Sequence, residues 1–471
     1  MSKKLVKKRI DSRDIKRLLE NLTGQKIPLD KDTPIAAVRI FNNEVGLGFS
    51  QLNELLLYMG YDRVTRAFFQ YIVDESTKYK RKSEIISFEA FERGVDRFRK
   101  IALLLFGNVK YAFKTLSQDQ DELEGWLEML EPINNTHYTD RHDPVLPIDP
   151  IPPENTYYLG YFVEEELEDR LKKNPNDKDA KRENRRRKSI VKKGEKNYEA
   201  YLSSDHLDVY VATSMRQPHE YVIVNKLAKK IFEHKILKPL KLRWFDPTQA
   251  YCKDRIDKGL AEALMLKRAK CTIYLAQESD TFGKDSELAS TLAQGKPVIA
   301  FIPKGDENHV KELLTELKNI NHSRNEVEII LDQLRVFDNS IAWKDPKVRK
   351  WLNHPQKANI KNLQNKLETL VQKQYNRRAK ILSEGHPLGI QANLSTGVAN
   401  GVLVVRTTDD CAQLVERILT RRMEFDLDQY SNDKGQYLVL REKISNCIFR
   451  VVTGDALLTN TFWNYYLEPS E

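Results

Sequence analysis

Cysteine is scarce in this chain: four in 471 residues, Cys252, Cys271, Cys411 and Cys447, with no CxxC pair among them. That spacing argues against a disulfide framework or a zinc site, and a reducing cytoplasm is the expected setting. Long apolar runs are missing as well. Stretches such as Ile101–Phe106 and Gly401–Val405 fall far short of the roughly 20 apolar residues that a membrane span needs. The opening MSKKLVKKRID is basic, but no apolar segment follows it, so no secretory signal is expected. Walker A, GxGxxG, HExxH and GxSxG patterns are absent, which removes the usual support for ATPase, dehydrogenase, zinc-protease and α/β-hydrolase readings. His137 and His142 stand near Asp140 and Asp143, but the spacing fits no standard zinc motif and no metal is expected.

What is present is ordinary core material and one concentration of charge. Hydrophobic residues make up 40% and charged residues 31%, with a formal net charge of +9. Most of that excess falls in Lys181–Lys196 (KRENRRRKSIVKKGEK), which holds nine Lys or Arg and two Glu. With no aromatic interleaved, the segment reads as a solvated, partly helical linker, the alternative being a contact to nucleic acid or another polyanion.

The pattern of apolar residues divides the chain. Residues 1–131 read as a helical domain, with Leu52, Leu55, Leu56 and Met59, then Phe88, Phe91, Val95 and Phe98, at helical spacing. Residues 132–204 read as a proline-rich and then basic linker. Residues 205–305 alternate strand and helix: strands over Asp208–Thr213, Leu240–Phe245, Cys271–Ala276 and Val298–Ile302, helices over Glu220–His234, Asp254–Arg268 and Ser286–Gln294. Such alternation specifies a parallel sheet covered by helices, with ligands outside the carboxyl ends of its strands. A helical segment over 306–380 and a C-terminal α/β segment over 381–471 follow. The latter has strands at Gly401–Thr407, Tyr437–Leu440 and Cys447–Val452 and an aromatic-rich helix at Leu457–Tyr466.

Chemistry is therefore sought in the loops after the first three strands of 205–305. They offer Ser214, Met215 and Arg216; Asp246 and Tyr251; and Asp280, Phe282, Gly283, Ser286 and Glu287. Glu287 is expected in the first turn of a helix, where the helix N-terminus would keep it ionised. An ionised carboxylate can stabilise or trap an oxocarbenium ion, or accept hydrogen bonds from a ribose diol. Arg216 could hold a phosphate, and Tyr251, Phe282 or Trp244 could stack on a base. Ordinary capping accounts for the same pattern, with Asp285 as the N-cap.

Arg255–Pro303 resembles the second half of a TIR (Toll/interleukin-1 receptor) domain, and is similar also to the nucleoside 2-deoxyribosyltransferases. The likeness rests on Cys271–Ala276, the polar loop after it, Glu287-Leu288, and Gly295-Lys296-Pro297-Val298-Ile299. It implies a flavodoxin-like parallel sheet. In enzymatic TIR domains the matching glutamate is essential for cleaving the nicotinamide–ribose bond of NAD; in the transferases it is the nucleophile. Both roles would fall on Glu287, and Asp280 resembles the transferases' base-orienting aspartate. The resemblance implies an N-glycosidase with NAD as substrate and no separate cofactor, acting as a homo-oligomer and regulated effector in bacterial anti-phage (abortive-infection) defence. Two alternatives stay open: a nucleoside or nucleotide 2-deoxyribosyltransferase or hydrolase, and a non-catalytic nucleotide-sensing or oligomerisation module.

Overall fold

Short runs of β-branched and aromatic residues, each closed by a polar turn, become the strands of a five-stranded parallel sheet. The structure is a computed structural model and describes residues 10–27, 39, 46–73, 85–106, 108–133, 146–278, 281–294, 296–320, 324–384, 402–432 and 435–450.

The first described elements are helical: α1 (Ser12–Thr23), α2 (Phe49–Tyr58), α3 (Arg66–Val73), α4 (Phe88–Phe106), α5 (Val109–Leu116) and α6 (Gln120–Met129). A two-residue antiparallel pair, β1 (Leu47–Gly48) with β2 (Ile85–Ile86), ties them together. The aromatic residues are packing material. Phe68 meets Phe98 and Phe113 edge to face, at centroid distances of 5.1 and 5.8 Å. Helix α1 is closed by Asp11 and Asp14 in a capping box and by Gly24 at φ 66°. A Cβ at Gly24 would lie 2.5 Å from the Lys110 nitrogen, so the turn needs glycine twice over.

The stretch expected to be a linker is, from residue 146 on, built into the fold. A 3-10 turn (Pro153–Leu159) leads to α7 (Tyr161–Lys173) and to α8 (Lys178–Ser203), a 26-residue helix that contains the basic run. Helix α8 buries Arg187, Ile190, Gly194, Asn197, Tyr198 and Tyr201 at three- and four-residue spacing. Asn197 donates to the carbonyls of Asp149 and Gln249, both at 2.9 Å, and Gln249 pairs with both backbone groups of Ile151. Several of the cations are already engaged: Arg187 with Glu164 at 2.8 Å, Arg182 with Asp179 and Lys193 with Asp149 at 3.1 Å each. The correction to the sequence reading has a physical cause. The helix interleaves its buried residues with so many cations that composition hides the stripe.

The sheet follows: β3 (Leu207–Ala212), α9 (Pro218–Phe232), β4 (Trp244–Phe245), α10 (Arg255–Arg268), β5 (Ala269–Leu275), α11 (Phe282–Ala293) and β6 (Val298–Phe301). Then come α12 (Glu307–Ile320), α13 (Glu326–Phe337), α14 (Ile341–Lys344), α15 (Pro346–Asn353) and α16 (Ile360–Glu384), and β7 (Val402–Val405) with α17 (Thr408–Leu419). Strand order is β4-β3-β5-β6-β7, all parallel. Counted along the chain this is second, first, third, fourth, fifth, the order of flavodoxin-like sheets, with a switch point between β3 and β5. Strand β7 pairs Val402 with Val298 and Val405 with Phe301. The C-terminal segment thus supplies the edge of the central sheet instead of a separate layer. An antiparallel meander, β8 (Phe425–Asn432), β9 (Gly435–Glu442) and β10 (Ile448–Arg450), ends the described chain; the helix expected at Leu457–Tyr466 lies outside it.

Side chains alternate along β3 and divide two cores. Val209 and Val211 face an aliphatic core with Val224 and Ile231 of α9 and Leu414 and Ile418 of α17, continuous with that of the N-terminal helices. Tyr210 and Ala212 face a smaller core with Tyr198 and Tyr201 of α8 and Ala261, Met265 and Leu266 of α10, which Leu207 joins at the start of the strand. No helix among the described residues is long and apolar enough to cross a membrane.

Candidate functional site around Glu287

Helix α11 begins four residues earlier than the sequence suggested. Its N-cap is Thr281, whose hydroxyl accepts from the Lys284 amide at 3.3 Å. Asp285, the expected cap, instead accepts from the Tyr274 hydroxyl at 3.0 Å. Phe282-Gly283 reads as loop because glycine is a poor helix former, yet Gly283 sits in the first turn with nothing within 4 Å of an added Cβ. Glu287 therefore stands in the second turn, past the reach of the N-terminal partial charge.

The consequence reverses the expected electrostatics. The Glu287 side chain turns inward against β3, where Tyr210, 1% exposed, donates its hydroxyl proton to Oε1 at 3.0 Å. The second oxygen, Oε2, is buried and has no hydrogen-bond partner among the described residues. Burial, reinforced by the charge of Glu262, pushes the Glu287 carboxyl up to about 8, against the smaller opposing effects of the Tyr210 hydrogen bond, Lys258 and Lys284. At neutral pH this environment thus favours a protonated Glu287. Glu262 is itself raised by burial, and Lys258 lies 3.7 Å from it along α10. Lys284, 1% exposed, donates to the Leu275 carbonyl at 3.3 Å and lies 4.6 Å from the centre of the Tyr274 ring. Desolvation lowers its pKa to about 8.

An aromatic wall continues from this cluster. Tyr210 stacks on Phe245 at 5.1 Å, and Tyr201 meets Phe245 edge-on at 4.9 Å. The Tyr198 hydroxyl donates to the Asp257 carbonyl at 3.3 Å. Tyr161 packs 5.7 Å from Tyr251, with Arg255 at 5.0 Å over its ring and Lys258 at 5.8 Å.

The other residues singled out in the sequence scatter. Ser214 is buried at the switch point: its amide and the Thr213 hydroxyl donate to Gln277 Oε1, and its own Oγ is without a partner among the described residues. Met215 packs between two apolar clusters. Arg216 is exposed, and its backbone amide is held by Glu220 at 2.6 Å. Asp246 is a loop staple: it accepts from Thr248 and Asn225 at 2.6 to 3.1 Å, and burial lifts it to about 6. Tyr251 is buried beneath α8, where Gly194 admits it; a Cβ there would lie 2.9 Å from the Tyr251 Cβ. Trp244 is taken up by Phe232, stacked at 4.1 Å. Phe282 is 93% exposed and Ser286 points to solvent, so neither lines the carboxyl. Asp280 lies outside the described residues.

Four residues of the cluster, Tyr210, Lys258, Glu262 and Lys284, were missed. Tyr210 lies inside a predicted strand, and Lys258 and Glu262 inside a predicted helix, where nothing in the sequence set them apart. Only the sheet, which brings Tyr210 beside a residue 77 positions away, reveals the set. No group of three or more His, Cys, Asp or Glu poised for a metal occurs among the described residues. Comparisons with protein-family models, curated proteins and solved structures return no match for this chain.

Proposed function

We propose that this chain is an N-glycosidase acting on a nucleotide, with NAD the substrate that the TIR-like resemblance favours. The observation that carries the reading is the Glu287 carboxyl: held by Tyr210 through one oxygen, buried and unpartnered at the other. Buried polar atoms are almost always satisfied, and a carboxyl kept at this cost marks a site that awaits a ligand. The nicotinamide ring of NAD is cationic. Placed beside Glu287 it would draw the carboxyl's proton away into solvent and restore the negative charge. The carboxylate would then stabilise the ribosyl oxocarbenium ion as neutral nicotinamide leaves, with Oε2 free to accept from a ribose hydroxyl. Tyr210 would hold the carboxylate's position by its hydrogen bond.

The raised pKa favours a second reading. Nucleoside bases are poor leaving groups unless protonated, and a carboxyl that titrates near 8 is suited to donate that proton. On this branch the chain is a nucleoside or nucleotide hydrolase or deoxyribosyltransferase. One assay separates the two. Wild type and Glu287→Gln are incubated with NAD and with a nucleoside mixture, and products are read by mass. Nicotinamide released by wild type, rising as Glu287 ionises, supports the NAD reading. Free base from nucleosides, falling over the same pH range, supports the second. In either case Glu287→Gln loses on the order of 10²–10⁴-fold in rate. Absence of base release from both substrates, or full activity in Glu287→Gln, contradicts the proposal.

A further inference from the structure

On the other face of the sheet a cavity of about 540 Å³ opens at the carboxyl ends of β5 and β6, between α9 and α12. That is within the size range of small-molecule sites, and the edge is where open α/β sheets hold ligands. Its lining is divided. Ile223 and Leu227 of α9 and Leu313 of α12 form an apolar wall. The floor is polar: His219 pairs with Glu278 at 3.1 Å, both nearly inaccessible to solvent, and His309 meets the Tyr375 ring edge-on at 5.5 Å. Neither the His309 imidazole nor the Tyr375 hydroxyl has a hydrogen-bond partner among the described residues, so both have capacity to spare for a ligand in the cavity. Burial opposes charge on His219, but Glu278 outweighs it and raises the pKa, whereas burial lowers that of His309 and keeps it neutral.

Three cations at the mouth have no carboxylate partner among the described residues. Glu220 accepts from the Arg216 and Gln217 amides, Glu316 pairs with Lys226 at 2.6 Å, and Asp306 accepts from the His309 amide. Arg406 is held by neutral groups only, the carbonyls of Ile302 and Pro303 and the Asn376 side chain. Lys230 and Lys304 are exposed at the rim, and no carboxylate among the described residues pairs with either. None of the lining carboxylates, Glu220, Glu278, Asp306, Glu312 and Glu316, forms an ion pair with these three cations among the described residues.

We infer that this cavity is a second binding site, for a phosphorylated small molecule of nucleotide size, with its phosphate at Lys230, Lys304 and Arg406 and its organic body between the apolar wall and His309 and Tyr375. The site is independent of the Glu287 chemistry. It lies behind the sheet from it, and the same Glu278 that lines the cavity belongs to the segment that runs from β5 toward α11.

Calorimetric titration of the full chain with ADP, AMP, adenosine and inorganic phosphate tests this, in wild type, in the Lys230→Glu/Lys304→Glu double variant and in Glu287→Gln. The rim lysines are exposed, so the double variant should unfold at the wild-type temperature. ADP or AMP should bind wild type and Glu287→Gln alike, and the charge reversal should weaken that binding by about tenfold or more. Adenosine and inorganic phosphate should each bind more weakly than the nucleotides. Binding untouched by the charge reversal, binding lost in Glu287→Gln, inorganic phosphate binding as tightly as ADP, or no nucleotide binding at millimolar concentration would each overturn the inference.

Discussion

The two faces of the central sheet are built on different principles. On the α9–α17 side, Val209, Val211, Ile231, Leu414 and Ile418 bury aliphatic surface and leave few polar groups to satisfy away from the carboxyl edge. On the α8–α10–α11 side, Tyr210, Tyr201, Asn197, Gln249, Glu262 and Glu287 are enclosed together, and the fold must answer for each polar atom. It does so for Asn197 and Gln249, which stitch α8 and the segment before it to the sheet. It does not do so for Glu287 Oε2. One face is there to hold the sheet. The other holds the Glu287 carboxyl where burial disfavours its charge.

Substitutions should expose the contrast. Ile231→Ala, on the aliphatic face, should cost about 2–5 kcal/mol in denaturant unfolding and leave the dependence of stability on pH unchanged. Glu287→Gln should alter that dependence instead. The folded-state pKa of Glu287 lies above its ordinary 4.5, at about 8. Wild type should therefore lose stability relative to the variant as pH rises from about 4.5 through about 8, and gain none above it. Equal slopes in the two would remove the distinction between the faces. Gly194→Ala should cost about 1–3 kcal/mol, because its Cβ would press within 2.8 Å of Leu159 and 2.9 Å of Tyr251; a neutral result would mean that α8 does not bear on the sheet as closely as drawn. Tyr210→Phe should have the smallest effect on stability, about 1 kcal/mol, and should move the Glu287 titration upward, since the hydroxyl favours the ionised carboxylate. An unmoved titration would show that the hydrogen bond does not act on Glu287.

Strands β3, β5 and β6 could be read from the chain because buried parallel strands are continuous β-branched runs. Strand β4 is shorter than its apolar run. The residues before it form a 3-10 turn at Lys238–Leu240 that ends in Lys241 at φ 46°, and only Trp244–Phe245 pair with β3. The place of β7 was not legible: a run of four aliphatic residues does not say which sheet it joins, and its partner β6 lies about a hundred residues back. For the site, Glu287 was legible as a carboxylate near a helix start, but its state was not. That depended on whether Thr281 or Asp285 caps the helix, and both are good caps. With Thr281 as the cap, Glu287 turns from a solvated first-turn anion into a buried acid.

The central claim is that Glu287 is held as a neutral carboxyl by the α8–α10–α11 face. A pH titration of the glutamate side-chain carboxyl carbons by ¹³C NMR, with Glu287→Gln to assign the signal, reads this directly. The account predicts one resonance, absent from the variant, with a midpoint at about 8. A midpoint near the ordinary 4.5 would contradict it. It would return Glu287 to the role of a solvated helix residue.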